Sequence, residues 1–250
     1  MLEPIEITIS SVSQLTDDVK SFTFNLGSKT FDYLPGQYLQ VLLPIEKDQC
    51  DTRCNIRSYS IASSPTETEK TGQVMIATKF ALANSSVFKQ HLANFKASDR
   101  LQIRGPMGRF LLQDDYSKEA VMLSGGIGIT PFRNMVKFAT DKGLPLKITL
   151  LYSNKTTADI VWRDQFDEFA AQNPNLKLVH TITNQTKELE NWPGERGFIN
   201  AEMIKKYVSD INNAIFYLCG PPAMVDALKQ VLLAMNIAQE NIRYELFAGY

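Results

Sequence analysis

Three short stretches combine residue types that could do chemistry. The first is Ser124-Gly125-Gly126-Ile127-Gly128-Ile129-Thr130-Pro131, between an apolar run and a helical pattern. Glycines allow a tight turn there and let a phosphate approach the backbone at a helix start. Pro131 suits the first helical position. The spacing departs from the dinucleotide fingerprint, and no acidic ribose ligand follows. A merely tight strand-to-helix turn fits this stretch equally well. The second is Cys219-Gly220-Pro221-Pro222 with Met224, again closing an apolar run and opening a helix. By composition alone, Cys219 reads as a small buried hydrophobe. The third is Arg57-Ser58-Tyr59-Ser60. Arg can hold a phosphate, Tyr can stack on a ring or bond a sugar, and Ser can bond a ring nitrogen. Alone, these four residues also fit an ordinary strand with one exposed Arg. Their order weighs against that: all three stretches suit one anionic, aromatic ligand system.

The elements that must position these residues change character near residue 115. Before it, short alternating or β-branched runs dominate: Ile5–Val12, Val19–Asn25, Tyr38–Leu43, Arg57–Ala62, Gln73–Phe80 and Arg100–Arg104. Pro35-Gly36, Ser64-Pro65 and Gly105-Pro106 separate them as turns. This spacing predicts a small antiparallel β-barrel with one helix, Ser85–Asn94, capped by Ser85 or Ser86. After residue 115, strands and helices alternate. Strands are expected at Ala120–Ser124, Lys147–Tyr152, Lys177–Thr183, Ala214–Cys219 and Ile242–Phe247. Helices are expected at Pro131–Lys142, Trp162–Gln172, Ala201–Tyr207 and Pro222–Met235. That rhythm predicts an open parallel sheet whose ligands bind beyond the strand carboxyl ends. The expected architecture is therefore α+β in two domains. Residues 1–114 form a Greek-key barrel and residues 115–250 an α/β nucleotide-binding domain.

Composition narrows the function classes. The 250 residues suit one large domain or two compact ones, at roughly 100–200 residues per domain. Net charge is −1, with 13 basic and 14 acidic residues in 1–125 and 13 of each in 126–250. No basic domain marks a nucleic-acid binder. Three cysteines, Cys50, Cys54 and Cys219, cannot build a disulfide framework. They also lack the second cysteine pair of a zinc or iron–sulfur site, and with only two histidines no metal is expected. No stretch approaches the roughly 20 apolar residues of a membrane span, and the N-terminus lacks signal-peptide character. The expected compartment is the cytoplasm. The acid-rich run Asp159–Glu168 reads as an amphipathic helix with a solvated face, and His91 and His180 read as structural.

The three stretches together resemble the ferredoxin–NADP reductase superfamily of flavoproteins. Arg57-Ser58-Tyr59-Ser60 looks like its flavin signature. Phe31–Tyr38 and Gly105-Pro106-Met107-Gly108-Arg109-Phe110 look like the barrel strands around it. Gly125–Pro131 and Cys219–Pro222 look like its two nicotinamide-cofactor motifs, and Trp192, Gly194 and Gly197-Phe198-Ile199 fit between them. The resemblance spans nearly the whole chain in the family's order. It implies bound FAD and NAD(P)H.

It also implies roles. Arg57 would bind the flavin phosphate, with Ser58 in the same signature. Tyr59 would line the isoalloxazine or ribityl chain, and Ser60 would hydrogen-bond near the hydride-accepting nitrogen. Ile76 and Thr78 would lie against the flavin, and Lys79 would reach toward the pyrophosphate. Asn84, Ser85 and Ser86 would contact the pyrophosphate, although the glycine usual in that turn is absent. Gly125, Gly126, Gly128, Thr130 and Pro131 would receive the nicotinamide cofactor. Cys219, with Gly220 and Pro221, would sit beside the nicotinamide ring. Ser153 and Lys155 could bind a 2′-phosphate, yet Asn154-Lys155-Thr156 with Asp159-Ile160 also looks like NADH-using relatives. Phe247 would pack near the flavin, with Tyr250 the other terminal aromatic. Glu245 is either a proton or hydrogen-bond partner or a solvated strand carboxylate.

The implied activity is an FAD-dependent oxidoreductase. It would take a hydride from NAD(P)H and pass electrons to a separate ferredoxin, flavodoxin, cytochrome or oxygenase component. The chain has neither the length nor the cysteines for a fused iron–sulfur domain, and it is expected to be a monomer. Two alternatives stay open: an NAD(P)H:free-flavin reductase and a cofactor-binding electron-transfer subunit of a larger complex.

Overall fold

The computed structural model describes residues 2–45, 55–80, 86–184 and 192–247. Cys50, Cys54, Asn84, Ser85 and Tyr250 lie outside them. Two compact units divide the chain: Met1–Leu112 with Arg133–Phe138, and Gln113–Phe132 with Ala139–Gly249. Among the described residues, no helix is long and apolar enough to cross a membrane.

The first unit is built on strands β1 (Ile5–Thr16), β2 (Val19–Asn25), β3 (Tyr38–Leu42), β4 (Ile56–Ser60), β5 (Gln73–Lys79) and β6 (Arg100–Met107). They form one six-stranded sheet in the order β4-β3-β6-β1-β2-β5, every neighbour antiparallel. Alternation sets the inner face: Leu39 and Val41 of β3 and Leu101 and Ile103 of β6 point into the core with Phe22, Phe24 and Val74. The sheet's two edges meet just past β4, where the Ala62 N–H donates to the Met75 carbonyl at 2.7 Å. Edge strands that pair in this way leave a barrel rather than an open sheet.

Among the described residues up to Leu112, this unit holds two helices where one was expected. Helix α1 (Pro65–Thr71) starts at Ser64-Pro65, which reads locally as a turn. It is a capping box. The Ser64 hydroxyl accepts from the Glu67 N–H at 3.1 Å, and the Glu67 carboxylate accepts from the Ser64 N–H at 2.7 Å. Pro65 occupies the first turn, and Gly72 ends the helix in the left-handed conformation at φ +65°. Helix α2 (Val87–Ala93) is capped by Ser86, whose hydroxyl accepts from the Lys89 N–H at 3.3 Å.

The second unit carries strands β7 (Glu119–Gly125), β8 (Ile148–Asn154), β9 (Leu176–Ile182), β10 (Glu195–Arg196), β11 (Ala214–Gly220) and β12 (Ile242–Leu246). Their order is β10-β9-β8-β7-β11-β12, all parallel. Helices α3 (Thr130–Asp141), α4 (Arg163–Gln172), α5 (Ala201–Tyr207) and α6 (Pro222–Ala234) connect them. Strands β7, β8 and β11 are buried along their whole length, which explains their continuous apolar runs. The direction of winding reverses between β7 and β11. In an open parallel sheet, that reversal marks the ligand crevice.

Two further readings change. Helix α3 begins at Thr130 after a single tight turn at Gly126–Ile129, so Pro131 is its second residue rather than its first. The acid-rich run is not one helix. Asp159 ends a separate turn, and its carboxylate accepts from the Thr156 N–H at 2.9 Å and the Thr156 hydroxyl at 2.7 Å. Helix α4 starts only at Arg163, after Trp162 reverses the chain at φ +57°.

Candidate active site

In the first unit, the chemistry-bearing residues gather at the end of β4. Arg57 and Tyr59, two residues apart, share a face of the strand. Both meet Phe88 of α2, which is 1% exposed. The Arg57 guanidinium lies 5.0 Å from the Phe88 ring centroid, and the Tyr59 ring lies 6.4 Å from it. Arg57 Nη1 also donates to the Ile56 carbonyl at 2.8 Å. The ring thus fixes the direction of the cation through its π-face. Ser58 is exposed, and Ser60 is buried at the strand end.

Beyond Ser60 the N–H groups keep backbone partners, and side chains take the carbonyls. The Ile61 N–H donates to the Gln37 carbonyl at 3.0 Å. Asn134 Nδ2 donates to the Ile61 carbonyl at 3.0 Å, and Arg133 Nη1 donates to the Ala62 carbonyl at 2.8 Å. Arg133 also grips Glu67 bidentately, with both N···O distances at 2.9 Å. Burial works to raise the Glu67 carboxyl, but the Arg133 guanidinium and the Ser64 N–H outweigh it and hold the group below its ordinary value. Tyr33 donates to the Ser63 carbonyl at 2.9 Å, and burial pushes its phenol up to about 12.

On β5, Ile76 has no exposed surface and packs among the barrel-core residues. Thr78 is 1% exposed, and its hydroxyl has no hydrogen-bond partner among the described residues. Lys79 pairs with Asp18 at 2.6 Å. The donor set fits an aromatic dinucleotide: a ring-held guanidinium, the Ser58, Ser60 and Ser86 hydroxyls, and the unpaired Thr78 hydroxyl.

In the second unit, register brings two of the motifs together. Ser124 pairs with Cys219 across β7 and β11. The same transverse row continues through Tyr152 and His180 on one side and Glu245 on the other. The Gly-rich turn then leaves β7. Gly126 adopts φ +53°, which favours glycine. A Cβ there would meet no atom within 4 Å, so this part of the turn faces open space. Gly128 is the opposite case. A Cβ there would overlap the Cys219 carbonyl group and stand 2.7 Å from Gly220 Cα. Only a glycine lets the turn lie against the end of β11.

Tyr152 fastens the turn from below. Its hydroxyl donates to the Gly126 carbonyl at 3.1 Å and accepts from the Val161 N–H at 3.2 Å, and burial raises its phenol. Thr130 Oγ1 donates to the Ile127 carbonyl at 3.1 Å, and Pro131 is buried. Cys219 is fully buried. Burial, and secondly the Glu245 carboxylate, push its thiol up. Pro221 is exposed at the start of α6, and the Phe247 N–H donates to the Gly220 carbonyl at 3.0 Å.

At the end of β8, Ser153 is 8% exposed and Lys155 is open to solvent. Arg163 covers the Trp192 ring at 5.3 Å, and His180 stands between Trp192 and Tyr152 at 6.4 and 5.7 Å. Burial pushes the His180 imidazole down, which keeps it neutral at pH 7. The arrangement fits a nicotinamide dinucleotide: an open glycine turn at a strand end, with the buried Ser124 hydroxyl unpartnered among the described residues.

Sequence reasoning missed Phe88, Tyr152, Arg133 and Asn134. Each acts on residues far along the chain, and none belongs to a local motif.

Comparison with known proteins bears on both units. Residues 6–111 match the model of the oxidoreductase FAD-binding domain, and residues 122–230 match that of the oxidoreductase NAD-binding domain. Flavohemoprotein A of Dictyostelium discoideum is 26% identical over 250 aligned residues, covering 97% of this chain and 60% of that protein. The glycine betaine monooxygenase reductase subunit of Chromohalobacter salexigens is 28% identical over 239, covering 95% and 62%. The chain thus spans about three fifths of these curated relatives. Among solved structures, a ferredoxin NADP+ reductase from Neisseria gonorrhoeae with bound FAD and NADP superposes with a TM-score of 0.79. It is 18% identical and covers 98% of this chain and 99% of its own.

Proposed function

We propose, for a chain that belongs to the ferredoxin–NADP reductase-like family of FAD- and NAD-binding oxidoreductases, that it is the reductase partner of a separate electron acceptor. The acceptor would lie outside these 250 residues, and an oxygenase component is the favoured class. The family assignment supplies FAD and a nicotinamide dinucleotide as cofactors. The similarity to a monooxygenase reductase subunit supports the acceptor class. The finer residue roles, the domain limits at 1–114 and 115–250, and a cytoplasmic location are part of this proposal.

When bound, FAD would supply a ring that accepts one hydride, and with it two electrons, and can release those electrons singly. The chain's own residues do the rest. Arg57, aimed by Phe88, binds the flavin phosphate, and Tyr59 lines the cofactor. Ser60 offers a hydrogen bond at the hydride-accepting nitrogen. Gly126 admits the dinucleotide backbone at the end of β7, while Gly125 and Gly128 let the turn pack against Met224 and the end of β11. Cys219 keeps its proton and presents a small neutral group beside the nicotinamide ring. Ser153 and Lys155 would bind the 2′-phosphate if NADPH is the donor.

The observation that carries the reading is the Ser124–Cys219 register with Gly128 packed on the Cys219 carbonyl. It gathers two chemistry-bearing motifs at the reversal point of the sheet. The test is the purified chain, assayed with NADH and with NADPH against ferricyanide and against cytochrome c. A yellow protein that reduces both acceptors supports the reading, and the rate ratio assigns the nicotinamide. A chain that binds no flavin on titration, or that reduces neither acceptor when flavin is bound, refutes it.

A further inference from the structure

We infer that Arg133 and Asn134 are positioning residues for the flavin-side strand end, acting through the backbone of Ile61 and Ala62 on Ser60. The inference rests on the proposed placement of Ser60 at the hydride-accepting nitrogen. Both residues are counted within the first unit.

Ser60 still pairs with Tyr38, and past it the Ile61 and Ala62 N–H groups keep backbone partners, the Gln37 and Met75 carbonyls. The carbonyls of these two residues have left the ladder and hold one direction only if they are otherwise engaged. Here the two carbonyls that follow Ser60 are each taken by a side chain of α3, at 3.0 Å from Asn134 and 2.8 Å from Arg133. The Arg133 fork then closes a ring. Nη1 bonds both Ala62 O and Glu67 Oε2, Nη2 bonds Glu67 Oε1, and Glu67 accepts from the Ser64 N–H at 2.7 Å. One guanidinium thereby sets the path of the chain from Ala62 to Ser64. The network continues on the other side, where Tyr33 holds Ser63 and the Ser63 hydroxyl accepts from the Met75 N–H at 3.0 Å.

The energetics favour geometry over bulk stability as the purpose. Arg133 is 5% exposed and Asn134 fully buried. A buried ion pair of this kind is often matched or bettered by well-packed apolar residues. Asn134 spends its buried amide on a single bond, because Oδ1 has no partner among the described residues. Two buried polar side chains on consecutive residues, both aimed at consecutive carbonyls, provide directional control that apolar packing lacks.

The test uses the FAD-loaded full chain and four variants: Arg133→Met, Asn134→Ala, Ser60→Ala and Arg133→Met/Ser60→Ala. Flavin dissociation constants come from fluorescence titration, and anaerobic stopped-flow absorbance gives the reduction rate at saturating nicotinamide. Arg133→Met is expected to keep FAD and to lose about tenfold to a hundredfold in reduction rate, the scale of a misplacement near 1 Å. The double variant is expected to be no slower than the slower single one, because both changes act on one group. Losses that multiply, or an Arg133→Met protein reduced at the parent rate, overturn the inference. A Ser60→Ala protein reduced at the parent rate instead removes the Ser60 role itself, and this inference with it. If Arg133→Met does not fold, Arg133→Lys keeps the cation but cannot form the fork. That variant and Asn134→Ala then carry the same comparison, with a slowed reduction supporting the inference and parent rates in both refuting it.

Discussion

The contact between Gly128 and the end of β11 yields a quantitative prediction. In Gly128→Ala, the new Cβ would lie 2.6 Å from the Cys219 carbonyl carbon and 2.7 Å from Gly220 Cα, both backbone atoms. Ordinary contact begins at 3.4 Å and the Cys219 carbonyl oxygen would stand nearer than either of these atoms, so the turn must retreat from β11 by about 1 Å. Overpacking of that kind costs about 1–3 kcal/mol. Displacing the turn proposed to receive the nicotinamide cofactor by about 1 Å should also slow flavin reduction by up to about a hundredfold. Gly143→Ala, just past the end of α3, is the matched control. It meets no atom within 4 Å but sits at φ +58°, so it costs about 1–2 kcal/mol in backbone strain without pushing on β11. Thermal unfolding should therefore place both variants below the parent, while stopped-flow reduction separates them, with Gly128→Ala much the slower. Equal reduction rates in the two variants, or a Gly128→Ala protein as stable and as fast as the parent, would refute the reasoning.

Other perturbations have equally definite outcomes. Because the folded Glu67 carboxyl lies below its unfolded value of about 4.3, the Arg133 pair stabilises fully above that pH and loses its contribution as pH falls through the folded value. Glu67→Gln should be less stable at neutral pH by about 1–3 kcal/mol and should show a flatter acid limb in urea titrations; an unchanged acid limb would count against the pair. Phe88→Leu should raise the FAD dissociation constant about twofold to thirtyfold, the equivalent of about 0.5–2 kcal/mol of cation–π attraction on Arg57. Riboflavin, lacking the phosphate, should be affected less, and an equal effect on both ligands would refute the Arg57 link. Tyr152→Phe removes the bond to the Gly126 carbonyl and should raise KM for the nicotinamide about fivefold, the equivalent of about 1 kcal/mol, with FAD content unchanged. A parent-like KM would exclude Tyr152 from shaping the turn.

The parts of this molecule that were legible in the chain are those written in local pattern. Strand β2 follows from its own alternation, and β7, β8 and β11 from unbroken apolar runs bounded by turn residues. Helix α1 was hidden for a specific reason. Ser64-Pro65 serves equally as a turn and as a helix start, and only Glu67 three residues later distinguishes the two. Asp159 misled in the opposite sense, because an acidic residue ahead of an amphipathic stretch looks like part of its first turn when its carboxylate in fact closes a separate one. The site divides in the same way. Arg57, Ser60, Gly126 and Cys219 belong to short motifs, whereas Phe88 lies 31 residues from Arg57, and Arg133 lies 66 residues from Glu67. Contacts at that separation arise from topology and leave no periodic trace.

The buried thiol of Cys219 bears on how the protein withstands its own chemistry. Oxygen intercepting reducing equivalents produces peroxide, and peroxide attacks thiolates far faster than thiols. Full burial and the neighbouring Glu245 carboxylate keep this sulfur protonated. In the proposed placement beside the nicotinamide ring, such a cysteine would escape the peroxide that leaking electrons make. The sulfur is insulated by its surroundings rather than by a protective partner.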